Sequence, residues 1–124
     1  MEHIKIRQIH KFLNRLEHNV FLQFRQDASQ ETIQSVAKAL LDMVTHIPSI
    51  KRARWYDNLS REQRDKGFHH MIALWLEDRS ALEAYLAHPH HQSVSDDILL
   101  PALAQGVESL LVFDRRAEDG TDGR

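Results

Sequence analysis

The chain contains no cysteine. Disulfides, thiolate metal sites and cysteine nucleophiles are therefore excluded, and the composition suits a reducing compartment. No apolar run approaches the roughly 20 residues needed to span a bilayer. The N-terminus is charged and carries histidines, without the apolar core of a secretory signal. A cytoplasmic protein with no membrane partner is the expectation. Positive charge is not in excess either: 16 Lys and Arg face 18 Asp and Glu, for a net charge of -2. The basic stripe of a nucleic-acid binder is missing, so no nucleic-acid partner is expected. Glycine is scarce, at four residues, and forms neither a phosphate-cradling loop nor a dinucleotide fingerprint. No serine sits in a nucleophile-elbow motif. No cofactor is expected.

Histidine, by contrast, is abundant, with nine among 124 residues. The length fits one domain with a real core. Residues 1–16 place Ile9, Phe12, Leu13 and Leu16 at helical spacing between basic residues, which fits a short amphipathic helix or a partly ordered arm. From His18 to Arg25 the chain alternates, with His18, Val20, Leu22 and Phe24 on one face and Asn19, Phe21 and Gln23 on the other. That is a strand. Asp27-Ala-Ser29 caps a helix whose inward stripe is Ile33, Val36, Ala37, Leu40, Val44 and Ile47, and Pro48 stops it. A second strand covers Ile50–Asn58, with Arg52, Arg54 and Tyr56 opposite Ala53 and Trp55. A charged loop ends at Gly67. The third strand, Phe68–Glu77, turns Phe68, His70, Ile72, Leu74 and Leu76 to one side and His69, Met71, Ala73 and Trp75 to the other. Asp78 or Ser80 caps a helix through Leu82, Tyr85 and Leu86 that Pro89 breaks. A further helical piece directs Val94, Ile98, Leu99 and Leu103 inward, and Val107–Asp114 is the last strand. The polar tail, residues 116–124, is expected to be disordered.

The order β-α-β-β-α-β predicts an α+β, ferredoxin-like fold, a four-stranded antiparallel sheet with helices on one face. Strands one, three and four are apolar on both faces: Phe21, Met71, Trp75, Leu110 and Val112 on one, Val20, Leu22, Ile72, Leu74, Leu111 and Phe113 on the other. Two helices cover one face only, and monomers avoid large exposed apolar patches. A homodimer with two sheets face to face is therefore predicted.

The stretch Tyr85-Leu-Ala-His88-Pro89-His90-His91 concentrates proton chemistry. Pro89 disfavours helix at His88 and favours the first position of a new one, which makes His88 the N-cap and places His91 third. The positive helix end there disfavours imidazolium, leaving His91 a neutral base near pH 7. The Tyr85 hydroxyl, one turn before the break, can hold a carbonyl and stabilise a developing oxyanion. The same two residues also suit a structural role, Tyr85 bonding a carbonyl across the junction and His91 satisfying the helix end. His18 and His70 share the helix-facing side, where a polar group must find a partner or line a cavity. Arg52 and Arg54 suit an anionic ligand or a solvated edge. The proline fans the clustered imidazoles apart, so no metal is expected.

These motifs together resemble the stress-responsive dimeric α/β-barrel (Dabb) family. The resemblance rests on His18-Asn-Val-Phe-Leu-Gln-Phe24, the Ile47-Pro48 helix end, Asn58, Gly67-Phe-His-His70 and Tyr85-Leu-Ala-His88-Pro89-His90-His91, in order over residues 17–115. Residues 1–16 have no counterpart in the family pattern, and Phe68-His69 stands where the family has Tyr-Thr. The resemblance implies a face-to-face homodimeric barrel with a small-molecule pocket between sheet and helices. Positions matching His18, Val20, Leu22, His70 and Ile72 would line it. It extends to a plant polyketide cyclase of the family, a cofactor-free aldol catalyst with tyrosine and histidine at the positions of Tyr85 and His91. A cofactor-independent cyclase, lyase or isomerase acting on a carbonyl compound is one implication. A non-catalytic, stress-associated oligomer or metabolite binder is the other. An open pocket at Tyr85 and His91 would distinguish the first from the second.

Overall fold

The computed structural model of the chain describes residues 15–117. The expected N-terminal stripe at Ile9, Phe12 and Leu13, and the tail beyond Ala117, lie outside those residues. Four strands and a set of helices follow in order. β1 is Leu16–Leu22, α1 Gln30–His46, β2 Ile50–Asp57, β3 His70–Leu76, α2 Arg79–Ala87 and α3 Pro89–Val94. A π-helical turn at Ser95–Leu99, a short helix at Leu100–Ala102 and a 3-10 turn at Gly106–Ser109 then lead to β4, Leu110–Arg116. The strands form one antiparallel sheet in the order β2-β3-β1-β4. This is the predicted ferredoxin-like arrangement.

Local chemistry sets the boundaries. Ser29 accepts the Thr32 N–H at 3.1 Å to start α1, and Pro48 cannot continue it beyond the Ile47 cap. Asp78, rather than Ser80, caps α2 by accepting the Ala81 N–H at 2.9 Å. Gly67, at a φ of 87°, turns the loop into β3 in a conformation that glycine adopts without strain. One sheet face packs on the helices: Val20, Leu22, Ile72, Leu74 and Leu76 meet Val36, Leu40 and Met43 of α1 and Leu82 and Tyr85 of α2. Each fully buried aliphatic side chain there contributes about 1.5–3 kcal/mol.

Four expectations are corrected. Leu16 belongs to β1, where it pairs with Leu76 and Arg116, not to the stripe of a preceding helix. β4 begins at Leu110, since Gly106–Ser109 is a 3-10 turn. Ile98 is exposed, because the π turn adds a residue and spaces the buried Val94 and Leu99 five apart. The two faces of β4 are also exchanged. Leu22 opposes Leu110, Val20 opposes Val112 and Phe21 opposes Leu111. Directly opposed residues share a face. Leu110 and Val112 thus face the helices, and Leu111 and Phe113 lie with Phe21 on the other side. Alternation alone orders a strand into two classes but does not say which is inward when both are apolar.

The helix-free face presents three rows across the sheet: Arg52, Trp75, Glu17 and Arg115; Arg54, Ala73, Asn19 and Phe113; Tyr56, Met71, Phe21 and Leu111. Phe113 and Leu111 are 57% and 45% exposed.

Candidate functional site

A cavity of about 430 Å³ opens between the sheet and the helices. Its volume falls in the range typical of small-molecule sites. Three side chains supply its chemistry: His18 from β1, Tyr85 from α2 and His91 from α3. Helical spacing from the Asp78 cap puts Tyr85 one turn after Leu82 on the buried stripe. The Tyr85 ring lies between the two imidazoles, 5.7 Å from His18 edge-on and 4.4 Å from His91 at a 50° tilt. Val20, Ile72 and Val112 from the sheet and Leu40 and Met43 from α1 give the cavity apolar walls.

The junction that presents His91 follows from proline chemistry. His88 is extended, and its Nδ1 accepts the His90 N–H at 3.0 Å, so the imidazole itself caps α3. Pro89 occupies the first helical position and His91 the third. His91 Nδ1 lies 3.2 Å from the Leu86 carbonyl oxygen. A carbonyl can only accept, so Nδ1 carries the proton and Nε2 keeps its lone pair. Burial pulls the His91 pKa below its ordinary value of 6.5, with the His18 and His88 imidazoles adding and the Leu86 carbonyl and Asp96 opposing. Desolvation leads this shift, in place of the helix dipole expected from the sequence. Burial also pushes the Tyr85 phenol up, keeping it a protonated donor. Its hydroxyl has no hydrogen-bond partner among the described residues, so the proposed backbone bond across the junction is not formed. His18 is 5% exposed and donates from Nδ1 to Asp114 Oδ1 at 2.6 Å.

Of the anticipated lining residues, His18, Val20 and Ile72 reach the cavity with Tyr85 and His91. His70 and Leu22 do not. Both lie on the helix-facing side, but at the far end of the strands, where they pair with each other. Leu22 is fully buried in the core. His70 meets Asp57 at 2.9 Å, stacks on Trp55 at 5.4 Å and receives the edge of Phe24. The clustered imidazoles also diverge: His88 caps, His91 meets Leu86 and His90 stacks on His46 at 4.2 Å. Among the described residues no three His, Asp or Glu converge to hold a metal. Two residues escaped the sequence reading. Asp114 was hidden by the exchanged faces of β4; an aspartate closing an apolar strand beside one bearing a buried histidine was the available signal. Arg79, at the start of α2, also lines the cavity.

Known proteins fit this picture. The profile of the family described as Stress responsive A/B Barrel Domain matches residues 16–117. Olivetolic acid cyclase from Cannabis sativa is 22% identical over 99 residues, covering 80% of this chain and 93% of that protein. The Arabidopsis thaliana stress-response A/B barrel domain-containing protein HS1 is 28% identical over 76 residues, 61% of this chain and 70% of its own. Among solved structures, a dimeric ferredoxin-like protein of unknown function from Jannaschia sp. CCS1 superposes with a TM-score of 0.71 at 24% identity, covering 83% of this chain and 99% of that one. Hydroxynitrile lyase from Passiflora edulis superposes with a TM-score of 0.74 at 18% identity, covering 86% and 96%. At these identities the two superpositions attest the fold.

Proposed function

The chain belongs to the stress responsive A/B barrel domain family, and from that premise we propose that it is a homodimer whose cavity performs cofactor-free acid–base chemistry on a carbonyl-containing small molecule. The observation that carries this reading is the open cavity bordered by Tyr85 and His91, with a phenol that has no hydrogen-bond partner among the described residues and an imidazole whose second nitrogen is fixed as the donor. A purely structural protein would fill this space with side chains.

His91 Nε2 takes a proton from the carbon next to a substrate carbonyl. The electron pair of the C–H bond moves onto the carbonyl oxygen, and the Tyr85 hydroxyl donates to the enolate that forms. The enolate carbon then attacks a second carbonyl of the same molecule, and the His91 imidazolium returns its proton to the new alkoxide. The sequence of steps is a redox-neutral intramolecular aldol closure. His18 and its Asp114 partner border the cavity beside Tyr85, and Val20 and Ile72 give it apolar walls. The cyclase and the lyase named above lend support, since both act within this fold. The competing reading, a non-catalytic metabolite binder, needs the same cavity without turnover.

Deuterium incorporation next to the carbonyl of a linear alkyl ketone, followed by NMR, separates the two. The wild-type protein should accelerate exchange over buffer. His91→Ala should lose about 10²–10⁴-fold of that acceleration, with far-UV spectra unchanged. Binding of the ketone without any acceleration would establish the non-catalytic reading instead.

A further inference from the structure

The apolar cavity adjoins a second concavity of about 490 Å³ lined by Leu16, Asp78, Arg79, Ser80, Arg115 and Arg116. Arg79 and Asp114 line both spaces and form the sill between them. The two concavities differ sharply in chemistry. One has aliphatic walls with His18, Tyr85 and His91; the other gathers three guanidinium groups from α2 and β4.

The acids in this groove are already engaged. Asp78 accepts the Ala81 N–H as the cap of α2, and Asp114 accepts from His18 at 2.6 Å. Arg115 is held bidentate by Glu17 at 2.7 and 3.0 Å. Arg79 and Arg116 are exposed and form no ion pair among the described residues. Two guanidinium groups therefore remain for a ligand at the mouth of an apolar cavity, and guanidinium recognises planar oxyanions by paired hydrogen bonds.

We infer that the ligand of this site is an anionic amphiphile, its apolar body and carbonyl inside the cavity and its carboxylate or phosphate end in the groove on Arg79 and Arg116. The inference rests on the cavity reading above and adds the ligand's polarity and orientation to it. An apolar chain threaded past the sill sets its carbonyl near Tyr85 and His91 while its anionic end stays at the solvent-exposed arginines.

Calorimetric titration with 4-oxononanoate and with its uncharged methyl ester tests this. The acid should bind about tenfold more tightly than the ester. The advantage of acid over ester should vanish in the Arg79→Gln, Arg116→Gln double variant and shrink with added salt. A matching alkyl phosphate distinguishes the two head groups, the tighter of the pair naming the natural one. Equal binding of acid and ester, with arginines that are merely solvated, would overturn the inference and leave the cavity reading standing. Binding of neither compound would overturn both. Unchanged far-UV spectra and melting temperature in the double variant guard against a folding defect, and the salt dependence of the wild-type protein decides independently of any substitution.

Discussion

Asp114 stands directly opposite His18 in the β1–β4 ladder and accepts a 2.6 Å hydrogen bond from its Nδ1. The pair joins an edge strand to a central one on the cavity side of the sheet. The His18 side chain is almost fully buried, with Asp114 nearer the surface. Removing the acceptor strands a buried imidazole donor, which costs about 1–3 kcal/mol. Asp114→Ala should lower the urea midpoint accordingly. Nitrogen chemical shifts of His18 should also reveal a change from the Nδ1–H tautomer, which a general loss of packing would not produce.

The lowered pKa of His91 fixes the sign of a pH effect. Its folded-state value lies below the ordinary 6.5 because burial penalises the imidazolium. Between the two values the unfolded chain holds more protons than the folded one, so stability rises with pH across that window and is lost as pH falls through it. His90 is depressed in the same direction, through desolvation and the neighbouring His46 and His88. Unfolding free energy should therefore fall on acidification below about 6.5. The slope should be shallower in His91→Gln than in the wild-type protein. Proton abstraction should follow the same group, with its acid limb below 6.5. An acid limb retained in His91→Gln would assign the titration to another residue.

The order of elements was legible because each boundary carries a local chemical sign: Ser29 and Asp78 as caps, Pro48 and Pro89 as stops, period-two alternation in β1 to β3. His88 as the cap of α3 was readable for the same reason. What stayed hidden depends on long-range register. The phase of β4 cannot be read from Leu110-Leu-Val-Phe113, which is apolar throughout, and only pairing with β1 settles it. The side on which Asp114 falls depends on the same phase. His70 shares a face with His18, yet the faces of strands about 23 Å long hold more than one site, and Asp57, Trp55 and Phe24 claim it. The π turn at Ser95–Leu99 has no sequence mark, and regular helical spacing points Ile98 inward where the turn carries it to the surface.

Leu74 lies directly across the β1–β3 ladder from His18 and is completely buried. It packs on the same side of the sheet as Val20 and Ile72, beneath the candidate site. Leu74→Ala removes three carbons and leaves a void that the helices and sheet only partly fill. The cost should be about 2–5 kcal/mol, read as a lowered urea midpoint with an unchanged slope. A loss under 1 kcal/mol would mean that the site collapses freely and is less rigidly packed than its burial implies.

The helix-free face argues for a second copy of the chain. Phe113, Leu111 and Tyr56 are large side chains left 57%, 45% and 41% exposed, and Phe21 and Met71 extend the same rows. A two-fold interface repeats every contact, so one substitution acts twice. Phe113→Glu removes an aromatic anchor worth about 1.5–3 kcal/mol per copy. Doubled, that weakens the dimer by roughly 10²–10⁴-fold in Kd, before the cost of burying two carboxylates. Light scattering at micromolar concentration should give a dimer mass for the wild-type protein and a monomer mass for Phe113→Glu, whereas Ile98→Glu, exposed on the π turn of the helical layer, should leave the dimer intact. A wild-type chain that runs as a monomer at that concentration would remove the homodimer from the proposal.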